Sequence, residues 1–224
     1  MATAKQKNSL KKLLTHLKKK SKAAQVGRKK PIIEELVFQV LSDDHHQREA
    51  NACIKSVLEN YVSWNEARVT ERRELSNLFE EKKLPNAYEK AKEFKTILNS
   101  VFMQERHFTF DMFVDDDWTP EQIKRFLSNL DGSNHRVASL VMIKSQGVPF
   151  FPLDMPMLKL LRACKIVAPN DTLLRAQKLM EELVKPQEYY ATFKIISTFT
   201  DTATQEETDQ LLFTLKFIKK LKLI

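Results

Sequence analysis

Glycine and cysteine are both scarce in this sequence of 224 residues. Only Gly27, Gly132 and Gly147 occur, which excludes phosphate-binding loops of the P-loop or dinucleotide-binding type because those loops need several neighbouring glycines. Cys53 and Cys164 are too few for a disulfide framework, for a zinc site or for an iron–sulfur cluster. We therefore expect a reducing compartment, no metal and no bound cofactor.

Long hydrophobic runs are also missing. No stretch approaches the roughly 18 apolar residues of a membrane span, and no apolar run of signal-peptide length follows the first lysines. Hydrophobic residues make up 42% of the chain and charged residues 29%, a balance typical of soluble globular proteins. We expect an intracellular protein without a membrane partner.

Acidic residues are absent from the first thirty positions, which hold eleven lysines or arginines. The net charge of +8 therefore belongs to this segment, and the remainder is slightly acidic. Leu10, Leu13, Leu14 and Leu17 follow a helical spacing, so we expect residues 1–30 to form a basic tail, partly helical or disordered. Nucleic acid is the favoured partner, with acidic lipid or plain solvent as alternatives.

From Pro31 onward the apolar residues recur at helical spacing, and the only extended segment of note is VPFFPLD. Thr119, Pro120 and Gln122 form a helix-start signature with a capping box, and Gly147 is placed to end a helix in the left-handed conformation. The sequence predicts an all-α fold.

One segment combines two predicted helices, a tight glycine turn and a short link that ends at an aspartate. It reads LSNLDGSNHRVASLVMIKSQGVPFFPLDMPMLKLLRAC and resembles endonuclease III of the helix-hairpin-helix DNA glycosylase superfamily. In that family the turn is Leu-Pro-Gly-x-Gly-Arg-Lys-Thr-Ala and the link ends in Val-Asp-Thr-His. The lysine-to-aspartate spacing there equals the spacing from Arg136 to Asp154 here.

Upstream, ELVFQVLSDDHHQREANACIKSVLENY is similar to the opening helices of that family, and SWNEARVTERRELSNLF resembles a branch of endonuclease III-like proteins. The resemblance covers roughly residues 31–165. It implies a helix-hairpin-helix DNA glycosylase fold for residues 31–224, with two helical lobes around a cleft. The implied lobes are a six-helix lobe at about 47–150 and a second lobe from about 31–46 plus 151–224.

The turn itself suggests a phosphate site. Amides at the start of a helix have no intrahelical acceptor and are free to bind an anion. Gly132, Ser133 and Asn134 form the candidate turn, in which Asn134 would adopt the left-handed conformation of a second glycine, and His135 and Arg136 add positive charge. A plain connection between helices is the alternative.

Two departures from the family bear on its chemistry. Arg136 stands where the bifunctional enzymes have the lysine that forms a Schiff base, and a guanidinium is not a useful nucleophile, so we expect no lyase activity. Asp154 matches the family's conserved aspartate, which implies a role in stabilising the sugar cation or activating water. An ordinary helix N-cap is an equal alternative for Asp154. Lys144 is interpreted as a solvated surface residue.

Other clusters favour structural interpretations. His45 and His46 are adjacent, so they diverge on a helix and lack a spaced third ligand. The aspartates at 115–117 are interpreted as an acidic loop before a helix. Phe150, Phe151 and Trp64 are assigned to the core rather than to a wedge in the base stack.

The sequence therefore predicts a monomeric, cytoplasmic or nucleoid-associated protein that binds double-stranded DNA. As an enzyme it would be a monofunctional glycosylase that hydrolyses the N-glycosidic bond of a damaged base, without an iron–sulfur cluster. The alternatives are a non-catalytic or architectural DNA-binding module on a degenerate glycosylase fold, and a helical interaction module whose basic arm contacts RNA or the ribosome.

Overall fold

The computed structural model describes residues 2–18, 26–42, 46–115 and 117–205. Within these ranges the chain is helical or irregular and contains no strand, which confirms the all-α fold class. The helices are α1 (Ala4–Lys18), α2 (Ile32–Ser42), α3 (Gln47–Asn60), α4 (Trp64–Val69), α5 (Arg72–Glu81), α6 (Ala87–Glu105), α7 (Met112–Asp115), α8 (Pro120–Asn129), α9 (His135–Val141), α10 (Met155–Ala163), α11 (Leu173–Leu183) and α12 (Tyr189–Gln205). A π-helical turn, Met142–Gln146, extends α9, and a 3-10 turn, Pro186–Glu188, precedes α12.

The chain divides into two compact units. One unit is continuous, Arg28–Val148, and the other combines Met1–Gly27 with Pro149–Ile224. We call them the central unit and the terminal unit. The lobes expected from the sequence differ from this division in two places: α2 belongs to the central unit, and α1 belongs to the terminal unit.

Helix α2 organises the central unit. Nine of its residues are buried, including Leu36, Val37 and Leu41 with no exposed surface, because apolar side chains occupy nearly every face of the helix. It packs against α3, α6 and α9. Helices α4 and α5 cover α6, and α8 packs on α9, so the candidate hairpin is built directly onto the layer around α2.

In the terminal unit, α1 is part of the core. Leu10, Leu13 and Leu17 are at most 3% exposed, and the helix packs against α11 and α12. The Gln6 side-chain amide donates a hydrogen bond of 3.0 Å to the carbonyl of Ile166. The predicted helix is thus present, but the described part of the basic segment is a docked helix rather than a solvated arm.

The local helix signals are mostly confirmed. Thr119 and Gln122 form the predicted capping box, and Gly147 ends the helical segment with φ of 75°. Helix α4 was not predicted, although Ser63 caps it by accepting a hydrogen bond from the amide of Glu66. Helix α12 is described as far as Gln205, and residues 206–224 lie outside the described residues.

The docking of α1 yields a test with a control on the same helix. Leu13 has no exposed surface, whereas Leu14, its neighbour, is only partly buried. Leu13→Ala should lower the free energy of unfolding by about 2–5 kcal/mol because it leaves a cavity, and Leu14→Ala should cost less than half as much. Urea denaturation followed by circular dichroism measures both, and equal, small losses would show that α1 is not packed.

Candidate nucleic-acid interface

The turn between α8 and α9 is tied to α6. Gly132 has φ of 84°, the left-handed region in which a side chain is strained. The amide of Asp131 donates to the Ser100 hydroxyl at 2.9 Å, and the amide of Ser133 donates to the carbonyl of Leu130 at 2.9 Å. The predicted glycine turn is therefore present and has a fixed position on the α6 surface.

Asn134 is the N-cap of α9. Its backbone is extended, with φ of −160° and ψ of 176°, and its side-chain oxygen accepts a 3.0 Å hydrogen bond from the amide of Val137. The expectation that Asn134 takes the left-handed conformation of a second glycine is wrong. One left-handed residue, Gly132, suffices because a cap with extended backbone starts the next helix.

The amides of the turn are only partly engaged. Those of Ser133 and Val137 are occupied within the protein, whereas the amides of Gly132, Asn134 and His135 have no acceptor among the residues that the structure describes. The hydroxyl oxygen of Ser133 is buried and also has no partner there. Three backbone donors thus surround one exposed turn.

The titratable and charged side chains at the turn are Asp131, which is exposed, and His135 and Arg136 at the start of α9. His135 is exposed in the first turn of α9, where no acidic residue occurs. Burial, and next the nearby charge of Lys124, lower the pKa of His135 below its ordinary value of 6.5. The group is therefore mainly neutral at neutral pH, and an anion beside it would favour its protonated form. Arg136 follows in the same helical turn and is partly buried.

Asp154 is an N-cap in the terminal unit. Its carboxylate accepts a 2.8 Å hydrogen bond from the amide of Met157 at the start of α10, and its backbone is extended. The side chain is partly buried. The capping interpretation of Asp154 is thus confirmed, while its chemical role stays a prediction.

Lys144 is not the solvated residue that the sequence suggested. Its ammonium lies 3.0 Å from a carboxylate oxygen of Glu35, and the two side chains are 14% and 4% exposed. The Gln39 amide also donates to Glu35, and the Lys144 ammonium lies 4.8 Å from the centre of the Phe38 ring. The π-helical turn is therefore joined to α2 by a buried ion pair, which helical periodicity alone does not reveal.

Of the remaining candidates, His45 and Asp116 lie outside the described residues. Phe151 is fully buried against Tyr189, as expected for a core residue. Cys53 and Cys164 belong to different units and are fully buried. Burial raises the pKa of each thiol to about 12, so neither is a reactive thiolate.

Comparison of the whole chain with solved structures decides the fold. A trapped endonuclease III–DNA covalent intermediate matches with a TM-score of 0.59 and 18% identity, over 89% of this chain and 86% of that one. A thermostable thymine-DNA glycosylase matches with a TM-score of 0.56 and 14% identity, over 88% of this chain and 86% of that one. The chain has the helix-hairpin-helix DNA glycosylase fold. A third match is an 8-oxoguanine glycosylase/lyase from Clostridium acetobutylicum in complex with double-stranded DNA. Its TM-score is 0.57 and its identity 17%, over 88% of this chain and 69% of that one.

The likeness to this glycosylase fold is one of structure rather than sequence. No model of a protein family and no curated protein matches the chain. The predicted fold is confirmed. None of the described helices is both long and apolar enough to cross a membrane.

The Glu35–Lys144 pair yields a second test. Lys144→Met should lower the free energy of unfolding by about 3–5 kcal/mol, because it leaves the Glu35 carboxylate buried without its cation. Adding Glu35→Leu should recover most of that loss. Chemical denaturation of the two single variants and the double variant gives the coupling energy.

The matched control for this cycle is Lys92→Met on the exposed surface of α6. It should change the free energy of unfolding by no more than about 0.5 kcal/mol. A loss in Lys144→Met no larger than in this control would contradict the buried pair.

Proposed function

We propose that this protein binds double-stranded DNA as a base-excision-repair glycosylase does, with the turn at Gly132 holding a backbone phosphate. The observation that carries the proposal is the turn itself, in a glycosylase fold: the amides of Gly132, Asn134 and His135 have no acceptor among the described residues, and the first turn of α9 has no acidic residue. Structures of the same fold were solved with DNA. Gly132, Ser133, Asn134, His135 and Arg136 form the proposed contact surface.

Helix α1 supplies a second cationic surface. Its leucines face the core of the terminal unit, and Lys5, Lys7, Lys11, Lys12 and Lys18 are exposed on the opposite faces. A fixed row of lysines attracts a polyanion independently of sequence. Because deletion of residues 1–30 would remove core side chains as well as charge, replacement of these lysines by glutamine is the cleaner way to remove the attraction.

The proposed reaction is hydrolysis of the N-glycosidic bond of a damaged base without a lyase step. Asp154 would stabilise positive charge on the sugar or activate water, and Arg136 would contact phosphate rather than attack carbon. Neither step uses a metal or an iron–sulfur cluster. A non-catalytic DNA-binding role on the same scaffold is favoured by one observation, the engagement of the Asp154 carboxylate in capping α10.

Substitution of Asp154 separates these two functions. Asparagine is as good an N-cap as aspartate, so Asp154→Asn removes the negative charge while α10 keeps its cap. We expect excision from duplexes that carry uracil, oxidised or alkylated bases to fall about 100-fold or more, with duplex affinity and thermal stability unchanged. Gel assays after alkaline cleavage measure excision, and borohydride trapping should detect no covalent adduct.

Each outcome of these excision and binding assays distinguishes a catalytic from a non-catalytic role. Excision that survives Asp154→Asn would remove Asp154 from the mechanism, and binding by the native protein without excision of any lesion would establish the non-catalytic function. Asp154→Ala, which removes both the cap and the charge, shows how much of any loss is due to α10. Absence of duplex binding would refute the proposal as a whole.

A phosphate at the turn also makes affinity depend on pH through His135. The pKa of His135 is low in the free protein, and a neighbouring phosphate would raise it, so binding takes up a proton. Affinity should therefore rise as pH falls through the pKa of the bound state, and level off below the lowered pKa of the free state. Fluorescence anisotropy of a labelled duplex at constant ionic strength measures this dependence.

His135→Gln is the control for the pH dependence. It keeps a polar side chain at the start of α9 and cannot titrate. The slope of log affinity against pH should be clearly smaller in this variant, whereas an unchanged slope would show that no phosphate lies beside His135.

A further inference from the structure

The central unit contains a cavity that the proposed DNA contact does not use. It has a volume of about 570 Å³, within the range of small-molecule sites. Its walls come from the start of α2, from Trp64 on α4, from the loop between α6 and α7, and from the end of the π-helical turn at Ser145 and Gln146. Residues far apart in the sequence thus form one open, concave surface.

This cavity is remote from the turn at Gly132. The helical segment made of α9 and the π-helical turn runs from His135 to Gln146, so its two ends are on the order of 16 Å apart at the α-helical rise. The proposed phosphate contact lies at the first end and the cavity at the last. The two surfaces therefore belong to different ends of one rigid element.

Four aromatic residues line the cavity: Trp64, Phe108, Phe110 and Phe113. Phe110 and Phe113 are almost fully buried, with ring centres 5.4 Å apart, while Trp64 and Phe108 are only partly buried. Such rings offer flat, polarisable faces on which a planar heteroaromatic ring stacks favourably, at about 1–3 kcal/mol for a base.

Basic side chains at the same cavity indicate that the ligand should carry an anionic group. Lys30 donates a 2.8 Å hydrogen bond to Asn51, its ammonium has further donors, and no carboxylate pairs with it in the described part of the chain. Arg28 and Lys29, exposed just before it, add positive charge. This side of the cavity suits a phosphate.

Two other lining groups favour a hydrogen-bonding ring over a hydrocarbon. Asp111 is exposed, and its carboxylate only accepts hydrogen bonds, so it suits an exocyclic amino group. Ser145 is 6% exposed, and its hydroxyl oxygen has no partner among the described residues. A buried hydroxyl without a partner is costly in an apolar wall, and a polar ligand would remove that cost.

We propose that this cavity binds a nucleotide whose base carries an exocyclic amino group, with the base against Trp64 and Phe108, the amino group at Asp111 and the phosphate at Lys30. The ligand is either a free mononucleotide or an unpaired nucleotide of a strand. This site does not depend on the proposed glycosylase function.

Tryptophan fluorescence tests the site directly because the chain has two tryptophans, Trp64 and Trp118. In Trp118→Phe the only emission comes from the cavity wall, and in Trp64→Phe it comes from Trp118, which does not line the cavity. Titration with dAMP should quench the first variant and leave the second unchanged. Equal quenching of both variants, or none at up to about 10 mM dAMP, would overturn the proposal.

Ligand pairs and side-chain variants then test each contact in the Trp118→Phe background. We expect dAMP to bind about fivefold or more tightly than dTMP, and Asp111→Asn to reduce this preference, because an amide also donates to the carbonyl of thymine. Lys30→Gln should weaken dAMP about fivefold while deoxyadenosine, which lacks the phosphate, is unaffected. Equal affinity for dAMP and dTMP, or equal losses for dAMP and deoxyadenosine, would overturn the assigned contacts.

Two further measurements identify the source of the nucleotide and separate this site from the DNA contact. A short oligodeoxyadenylate that binds more tightly than dAMP would assign the site to an unpaired strand, and equal or weaker binding would assign it to the free nucleotide. His135→Gln should leave dAMP affinity unchanged. A parallel loss of dAMP binding in that variant would show that the two surfaces are one site, contrary to the proposal.

Discussion

Enclosure of α2 is the constraint on which the central unit depends. A helix with apolar side chains on nearly every face is stable only when other helices surround it, and α3, α6 and α9 do so. Each of these helices then carries something else: α6 supports the turn at Gly132, and α9 begins at that turn and leads to the cavity. The turn at Gly132 and the cavity are thus both positioned by the packing of this apolar helix.

A charged pair within this apolar layer constrains the geometry of the π-helical turn. Glu35 on α2 is buried and the Lys144 side chain in the π-helical turn is only 14% exposed, and removing two charges from water contributes little net stability compared with an apolar pair. The pair instead selects one position of the π-helical turn relative to α2, because a shifted turn would leave the Glu35 carboxylate buried without its cation. The π-helical geometry at Met142–Gln146 is consistent with this, since an irregular turn reorients a side chain relative to a regular helix.

The sequence predicted what depends on local spacing and missed what depends on distant partners. The capping box at Thr119, the tight turn at Gly132 and the helix end at Gly147 follow from residue type and position, and all three are confirmed. Helix α4 carried a readable signal, a serine three residues before a glutamate, that was overlooked. The burial of Lys144 carried none, because its partner is more than one hundred positions away.

The residues in the first turn of α9 are unfavourable for the stability of that helix. The positive end of the helix dipole favours acidic side chains, each worth about 0.3–1 kcal/mol, yet this first turn has His135 and Arg136 and no acid. Lys124 adds to the same field and helps to keep His135 neutral. A sequence optimised only for folding would place an aspartate or glutamate here. An anion at the proposed phosphate site would remove the conflict, because it would accept hydrogen bonds from the unengaged amides and would be favoured by the dipole of α9.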